Sequence, residues 1–230
     1  MTPVVRTAVL WDIDGTLLTT ARAGVAALED GVREVLGRDV DLSRLPTSGL
    51  TDAMVARAIL VELGLDADPA VEQALLDVYA RELPVRLRQR RGRVMEGVVD
   101  IAESLARRPD VVMGLLTGNV VAGARAKLTS YGLDRYFDFE LGGFGGDGYE
   151  RVEIGRSFLD RLRAVYPDLD GSVYLVGDTP SDVLCGRALG LRTIAVASGL
   201  HPVEELDAAG PWWVVERLPP PDEFLERLGL

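Results

Sequence analysis

Apolar residues along the chain follow two rhythms. Val4, Val5, Ala8, Val9 and Leu10 form a short valine-rich run, the kind that makes a strand buried on both faces. It ends in Trp11-Asp12-Ile13-Asp14-Gly15-Thr16. The spacing then changes to three and four: Val25, Leu28, Val32, Val35 and Leu36 predict an amphipathic helix over residues 21–36, stopped by Gly37. A polar loop with Pro46 fills residues 38–49. Thr51 or Asp52 can cap a second helix carrying Met54, Val55, Ala58, Ile59 and Leu63, with Gly64 past its end. Asp68-Pro69 opens a third, with Val71, Leu75, Leu76, Val78 and Tyr79. The stretch contains no convincing strand, so it reads as a helical insertion placed directly after the first strand.

From Val94 onward strand and helix patterns alternate. Helices are predicted over residues 98–106, 120–130, 150–165, 181–189 and 221–228. Strands are predicted over 111–116, 136–141, 173–176 and 193–196, with 212–215 as an edge strand. This alternation implies an α/β fold: a doubly wound parallel sheet covered by helices on both faces. The predicted division is a core of residues 1–18 and 92–230 with the helical segment 19–91 inserted in it. Gly92, at the end of the arginine-rich run 86–93, is a candidate hinge; the arginines themselves read as a solvated helix end.

Three predicted strands end in polar clusters: Asp12/Asp14, Thr117/Asn119 and Asp178/Asp182. In a strand, residues i and i+2 point to one side, so Asp12 and Asp14 can face a common site. Gly15 then permits a sharp exit. A parallel sheet puts all its strand C-termini on one edge, where ligands bind, so the clusters can converge. Any one of them alone would be consistent with a turn.

Composition narrows the ligand. The 230 residues carry a net charge of −11, which opposes nucleic acid and anionic membranes as partners. A single cysteine, Cys185, allows no intrachain disulfide and fits a reducing compartment. No apolar run reaches transmembrane length and no signal pattern opens the chain. A cytoplasmic protein is expected, monomeric or homodimeric.

Together these motifs resemble the haloacid dehalogenase-like hydrolases, in the branch similar to phosphoglycolate phosphatases. Asp12-Ile13-Asp14-Gly15-Thr16 matches that family's first motif, the apolar run ending Thr117-Gly118-Asn119 its second, and Gly177-Asp178-Thr179-Pro180-Ser181-Asp182 its fourth. The helical insertion resembles the family's type-one cap. The resemblance implies a Mg²⁺-dependent phosphatase acting on a small phosphorylated metabolite. It implies Asp12 as nucleophile, Asp14 as general acid and base, and Thr16, Thr117, Gly118 and Asn119 around the phosphate. It also implies Mg²⁺ at Asp12, Asp178 and the backbone carbonyl of Asp14, with Asp182 holding a metal-bound water or orienting its neighbours.

One motif departs from the family. A lysine is usual at the start of the helix before the fourth motif, and residues 131–176 contain none. Arg151 is the preferred replacement and Arg156 the alternative, since arginine can bind phosphate bidentately. Lys127 is read as solvated surface, Cys185 as packed, His201 as a loop residue and Trp11 as core or pocket wall. A dehalogenase or phosphonatase of the same family needs no acid two residues after the nucleophile, so Asp14 favours a phosphatase. A phosphomutase with the same cap, or a non-catalytic binding or regulatory protein retaining the fold, are the alternatives.

Overall fold

The computed structural model describes residues 5–167, 169 and 172–230; residues 1–4, at the start of the expected core, lie outside the described residues. Strand β1 (Thr7–Trp11) occupies the middle of a six-stranded sheet. Its neighbours are β4 (Val111–Leu116) and β6 (Ser172–Gly177). Outside these lie β5 (Gly142–Gly143) on one flank and β7 (Arg192–Val196) then β8 (Trp213–Val215) on the other. Every pairing in this sheet is parallel.

Alternation along β1 sends side chains to both faces. Val9 and Trp11 join a cluster with helices α4 (Val98–Ala106), α5 (Val121–Ser130) and α9 (Pro221–Leu228), through Ile101, Leu105, Leu128 and Phe224. Ala8 and Leu10 face the other way, against Ile154, Phe158 and Leu162 of α6 (Arg151–Val165) and Cys185 of α7 (Pro180–Leu189). Helix α8 (Val203–Ala208) packs Leu206 against Val183 and Ala195. Trp11 is fully buried and stacks on Phe224, and Cys185 is buried, both as expected for core residues.

The helical insertion contains α1 (Ala23–Leu36), α2 (Asp52–Glu62) and α3 (Pro69–Gln89). It packs a cluster of its own around Leu28, Val32, Val55, Ile59, Leu75 and Leu83. Thr51 caps α2 by accepting from the Met54 N–H, and Asp68 caps α3 ahead of Pro69. A short antiparallel ribbon of β2 (Leu18–Thr19) and β3 (Arg93–Val94), which the pattern of apolar residues did not suggest, brings the two ends of the insertion side by side.

Two expectations need correcting here. Residues 136–141 are not a strand; a 3₁₀ turn covers Asp134–Tyr136, and the Asp138 side chain accepts from the Glu140 N–H in a following turn. The strand comes later, at Gly142–Gly143. Side chains on this outermost strand would collide with the core: a Cβ at Gly143 would meet Leu116 and Phe158 within 3.0 Å. Helix α1 starts at Ala23 rather than residue 21, because Ala21 and Arg22 adopt left-handed φ values of 49° and 62°.

Among the described residues no helix is long and apolar enough to cross a membrane.

Candidate active site

The C-terminal ends of β1, β4 and β6 bring the three polar clusters together as expected. Asp12 follows β1 and is buried. Asp178 follows β6, and Asp182 lies in the first turn of α7. Oxygens of Asp12, Asp178 and Asp182 all lie within 4.8 Å of one another. Gly15 is left-handed at φ 86°, and a side chain there would strike the Asp178 carboxylate. Thr16 donates to Asp178 Oδ1 at 2.9 Å, tying the exit from β1 to the far side of the cluster.

Arg151, the first residue of α6, joins this group and is buried. Its guanidinium lies 3.2 Å from Asp12 Oδ1, pairs with Asp182 and donates to the Leu116 carbonyl at 3.3 Å. Arg156 is exposed on the other side of the helix. Asp182 is fully engaged, because its second oxygen accepts from both the N–H and the hydroxyl of Thr179 in a capping box.

These carboxylates share too little positive charge. Burial pushes the Asp12 carboxyl up to about 6 against the pull of Arg151. Burial, then the neighbouring Asp182 and Asp12, push Asp178 up to about 8. Hard oxygen donors held together at such cost are the chemistry a divalent cation relieves, so the donor set fits a metal. The Asp14 side chain is not part of this group.

Asp14 instead turns toward α5. Its Oδ2 pairs with Lys127, which is buried at 4% exposure and was expected on the surface. The correction has a plain cause: Gly123, Ala124, Lys127 and Leu128 form the buried stripe of α5, so the helix aims the lysine inward. Lys127 also donates to Asn119 Oδ1 at 3.1 Å. Burial alone would depress its pKa, but Asp14, Tyr79 and Asp52 around it reverse that and hold it charged.

Thr117 is buried, and its hydroxyl pulls the Asp12 carboxyl down against the effect of burial. The two residues after it face the insertion. The Gly118 carbonyl accepts from the Asp52 N–H at 2.9 Å, and a Cβ at Gly118 would lie 2.8 Å from the Leu50 carbonyl. The Asn119 amide nitrogen donates to Asp52 Oδ1 at 3.4 Å, and the Val120 N–H donates to Asp52 Oδ2 at 2.8 Å. Asp52 is thereby fixed to the second motif and, through burial, is pushed up to about 6. The sequence signalled Asp52 only as a possible helix cap. His201 bridges Ser48 of the insertion, at 3.2 Å, and Glu205.

A cavity of about 460 Å³ opens over these groups. Asp12, Asp14, Thr117, Arg151 and Asp178 line its floor, and Val25, Leu28, Val55 and Tyr79 of the insertion line its roof. A volume of this order accepts a small ligand.

The chain is similar to known proteins along most of its length. The model of a family described as haloacid dehalogenase-like hydrolase matches residues 9–196. The chain is 31% identical over 222 residues to a Dickeya dadantii (strain 3937) protein named probable phosphatase IndB, covering 90% of this chain and 88% of that one. It is 28% identical over 201 residues to N-acetylmuramic acid 6-phosphate phosphatase of Pseudomonas putida, covering 85% of each. The crystal structure of a hydrolase from Pseudomonas syringae shares the fold, with a TM-score of 0.72 at 19% identity over 97% of this chain and 98% of the other.

Proposed function

The chain belongs to the haloacid dehalogenase-like hydrolases, and from that premise we propose that it is a Mg²⁺-dependent phosphatase that hydrolyses a small phosphomonoester through an aspartyl-phosphate on Asp12. The observation that carries this reading is the placing of Asp12. It is a buried carboxylate at the mouth of the central strand, 3.2 Å from a permanently charged guanidinium and open to the cavity.

The steps follow from the residues present. An oxygen of Asp12 attacks phosphorus, and the bond from phosphorus to the substrate oxygen breaks. Asp14 gives its proton to the departing oxygen. Asp14, now a carboxylate, takes a proton from a water that attacks the same phosphorus. The bond from phosphorus to Asp12 breaks, and inorganic phosphate leaves. Thr117 and the start of the second-motif loop hold phosphoryl oxygens, with Gly118 and Asn119 shaping that loop against the insertion. Arg151 opposes the charge gathered at phosphorus, in the place of the family's usual lysine, and Asp182 holds Arg151 there. Asp12, Asp178 and the Asp14 carbonyl would hold Mg²⁺. When bound, the ion would supply charge neutralisation for the phosphoryl transfer.

Residues 19–91 act in this reading as a cap over a core formed by 1–18 and 92–230. The roof residues Val25, Leu28, Val55 and Tyr79 would exclude water and sort substrates by shape. The name of the relative that acts on N-acetylmuramic acid 6-phosphate supports a phosphorylated metabolite as substrate class. Phosphate release from para-nitrophenyl phosphate, with and without Mg²⁺, followed by a panel of alkyl phosphomonoesters, tests the proposal. Mg²⁺-dependent release is expected. A purified, folded protein that releases no phosphate from any member of the panel would overturn it and favour a binding role.

A further inference from the structure

The second-motif helix carries a buried cation that the reaction described above does not use. Lys127 reaches the site from α5, opposite Arg151, and the two cations serve different carboxylates: Arg151 faces Asp12, Lys127 faces Asp14. Asp14 is the less buried partner of its pair, at 44% side-chain exposure against 5% for Lys127. Its Oδ2 is held by the ammonium. Among the described residues its Oδ1 has no hydrogen-bond partner, and Asp14 lines the cavity.

A carboxylate anchored through one oxygen and free at the other is oriented for proton transfer. An unanchored aspartate on a loop samples several rotamers, and only some of them reach a leaving oxygen. Lys127 itself has few alternatives. Its other contacts are Asn119 Oδ1 at 3.1 Å and the Tyr79 hydroxyl, with Asp52 nearby. Tyr79 and Asp52 belong to α3 and α2 of the insertion, whereas Lys127, Asn119 and Asp14 belong to the sheet-bearing part. Tyr79 packs against α5 at Gly123, one turn before Lys127, where an added Cβ would lie 3.0 Å from its ring.

Resting on the phosphatase reading, we propose that Lys127 is a positioning residue for Asp14: its ammonium fixes one carboxylate oxygen so that the other meets the leaving group, and the insertion completes the grip by supplying Tyr79 and Asp52. Lys127 also lines the cavity, but in this role it works through Asp14 rather than on phosphorus. It acts on the step in which the substrate oxygen departs and takes its proton from Asp14.

The leaving group separates this role from a structural one. An alkoxide departs poorly without a proton, whereas para-nitrophenolate departs without one. The measurement is kcat/KM, which reports the steps through the first departure, for para-nitrophenyl phosphate and for the best alkyl phosphate of the panel. Lys127→Met should lower the alkyl value about 100-fold, the scale of general acid catalysis, and should lower it at least tenfold more than the aryl value. Lys127→Arg, which keeps the charge and hydrogen-bond donors, should recover much of the alkyl rate. Asp14→Asn should show the same alkyl-selective loss, and the double variant Asp14→Asn/Lys127→Met should lose little more, because residues acting as a unit are not additive. Tyr79→Phe, which deletes only a hydroxyl, should show a smaller loss with the same selectivity and covers the case of a Lys127→Met protein that does not fold.

Equal losses on both substrates, unrescued by arginine and additive with Asp14→Asn, would overturn the proposal and leave the phosphatase reading intact. Wild-type protein inert toward every phosphomonoester overturns that reading first, and this one with it.

Discussion

In the proposed mechanism Asp12 is both the nucleophile and a metal ligand; an asparagine there is hardly nucleophilic and only a weaker ligand. Asp12→Asn keeps the shape and the burial, so the fold should survive while turnover falls below about one per cent of wild type, a barrier increase of at least ~3 kcal/mol. Phosphate release together with a thermal melt checks both halves. Arg151 makes a sharper test, because its rival lies five residues away on the same helix. Arg151 is buried against Asp12 and Asp182 while Arg156 faces solvent. Arg151→Ala should lower the rate at least about tenfold, and Arg156→Ala should leave it nearly unchanged. Arg151→Lys should restore part of the loss, since it keeps the charge but not the planar fork. Steady-state rates of the three variants decide the assignment.

At this scale the sequence was informative where a motif falls at a strand end, as at Asp12 and Asp178, whose carboxylates the structure brings together. The sequence misplaced Lys127 on the surface, because a buried lysine is stable only with a partner, and that partner, Asp14, is 113 residues away. The available signal was the stripe of Gly123, Ala124, Lys127 and Leu128 at helical spacing, which places the lysine on an otherwise apolar face.

Between elements, the two crossings into the insertion differ in character. Gly92 was expected as a hinge. Its φ is not among the left-handed ones. The residue is small for another reason: a Cβ there would run into the Thr19 carbonyl and the Tyr131 hydroxyl, and would lie 2.8 Å from the Thr20 Cα. Glycine at 92 allows the two strands leading in and out of the insertion to lie against each other and against α5. Unusual backbone conformation occurs instead at Ala21 and Arg22, where L-residues in the left-handed region cost about 1–2 kcal/mol each. Nothing in the composition of this junction signals that left-handed pair. Gly92→Ala should destabilise the protein by about 1–3 kcal/mol through overpacking, read as a lower midpoint in urea. The same variant should weaken activity more than a remote surface change of equal stability cost, because it pushes the insertion, which carries the cavity roof, away from Asp12 and its neighbours. The displaced strand 142–143 has a related lesson. Hydrophobicity pointed to Phe137 and Phe139, but a Cβ at 143 would meet Leu116 and Phe158 and one at 142 the ring of Phe144, so the strand forms at the glycines that follow.

For the molecule as a whole, alternating strand and helix patterns were enough to read a doubly wound sheet, and the sheet order with β1 central accounts for why three distant motifs meet. The same convergence concentrates charge, and this has a consequence for stability that requires no substrate. The folded-state pKa of Asp12 is raised to about 6 and that of Asp178 to about 8, while in the unfolded chain both titrate near ~3.9. The native state therefore holds protons that the unfolded chain has released. Stability from these groups is complete below about pH 4 and is lost progressively as pH rises through about 6 for Asp12 and about 8 for Asp178. Without metal, the protein should melt at a lower temperature at pH 8.5 than at pH 6, apart from changes elsewhere in the chain. A divalent cation binds the ionised carboxylates and must displace protons at low pH. The rise in Tm on adding saturating Mg²⁺ should therefore be larger at pH 8.5 than at pH 6. Two pH units on one carboxylate correspond to ~3 kcal/mol, or about 5–10 °C for a chain of this size. Asp178→Asn supplies the control. Lacking the most strongly raised carboxyl, it should melt above wild type at pH 8.5 in the absence of metal and gain little from Mg²⁺. Thermal melts of both proteins at the two pH values measure this directly. A Mg²⁺ gain that is independent of pH, or that persists in Asp178→Asn, would mean that the ion stabilises the protein somewhere other than at Asp12 and Asp178.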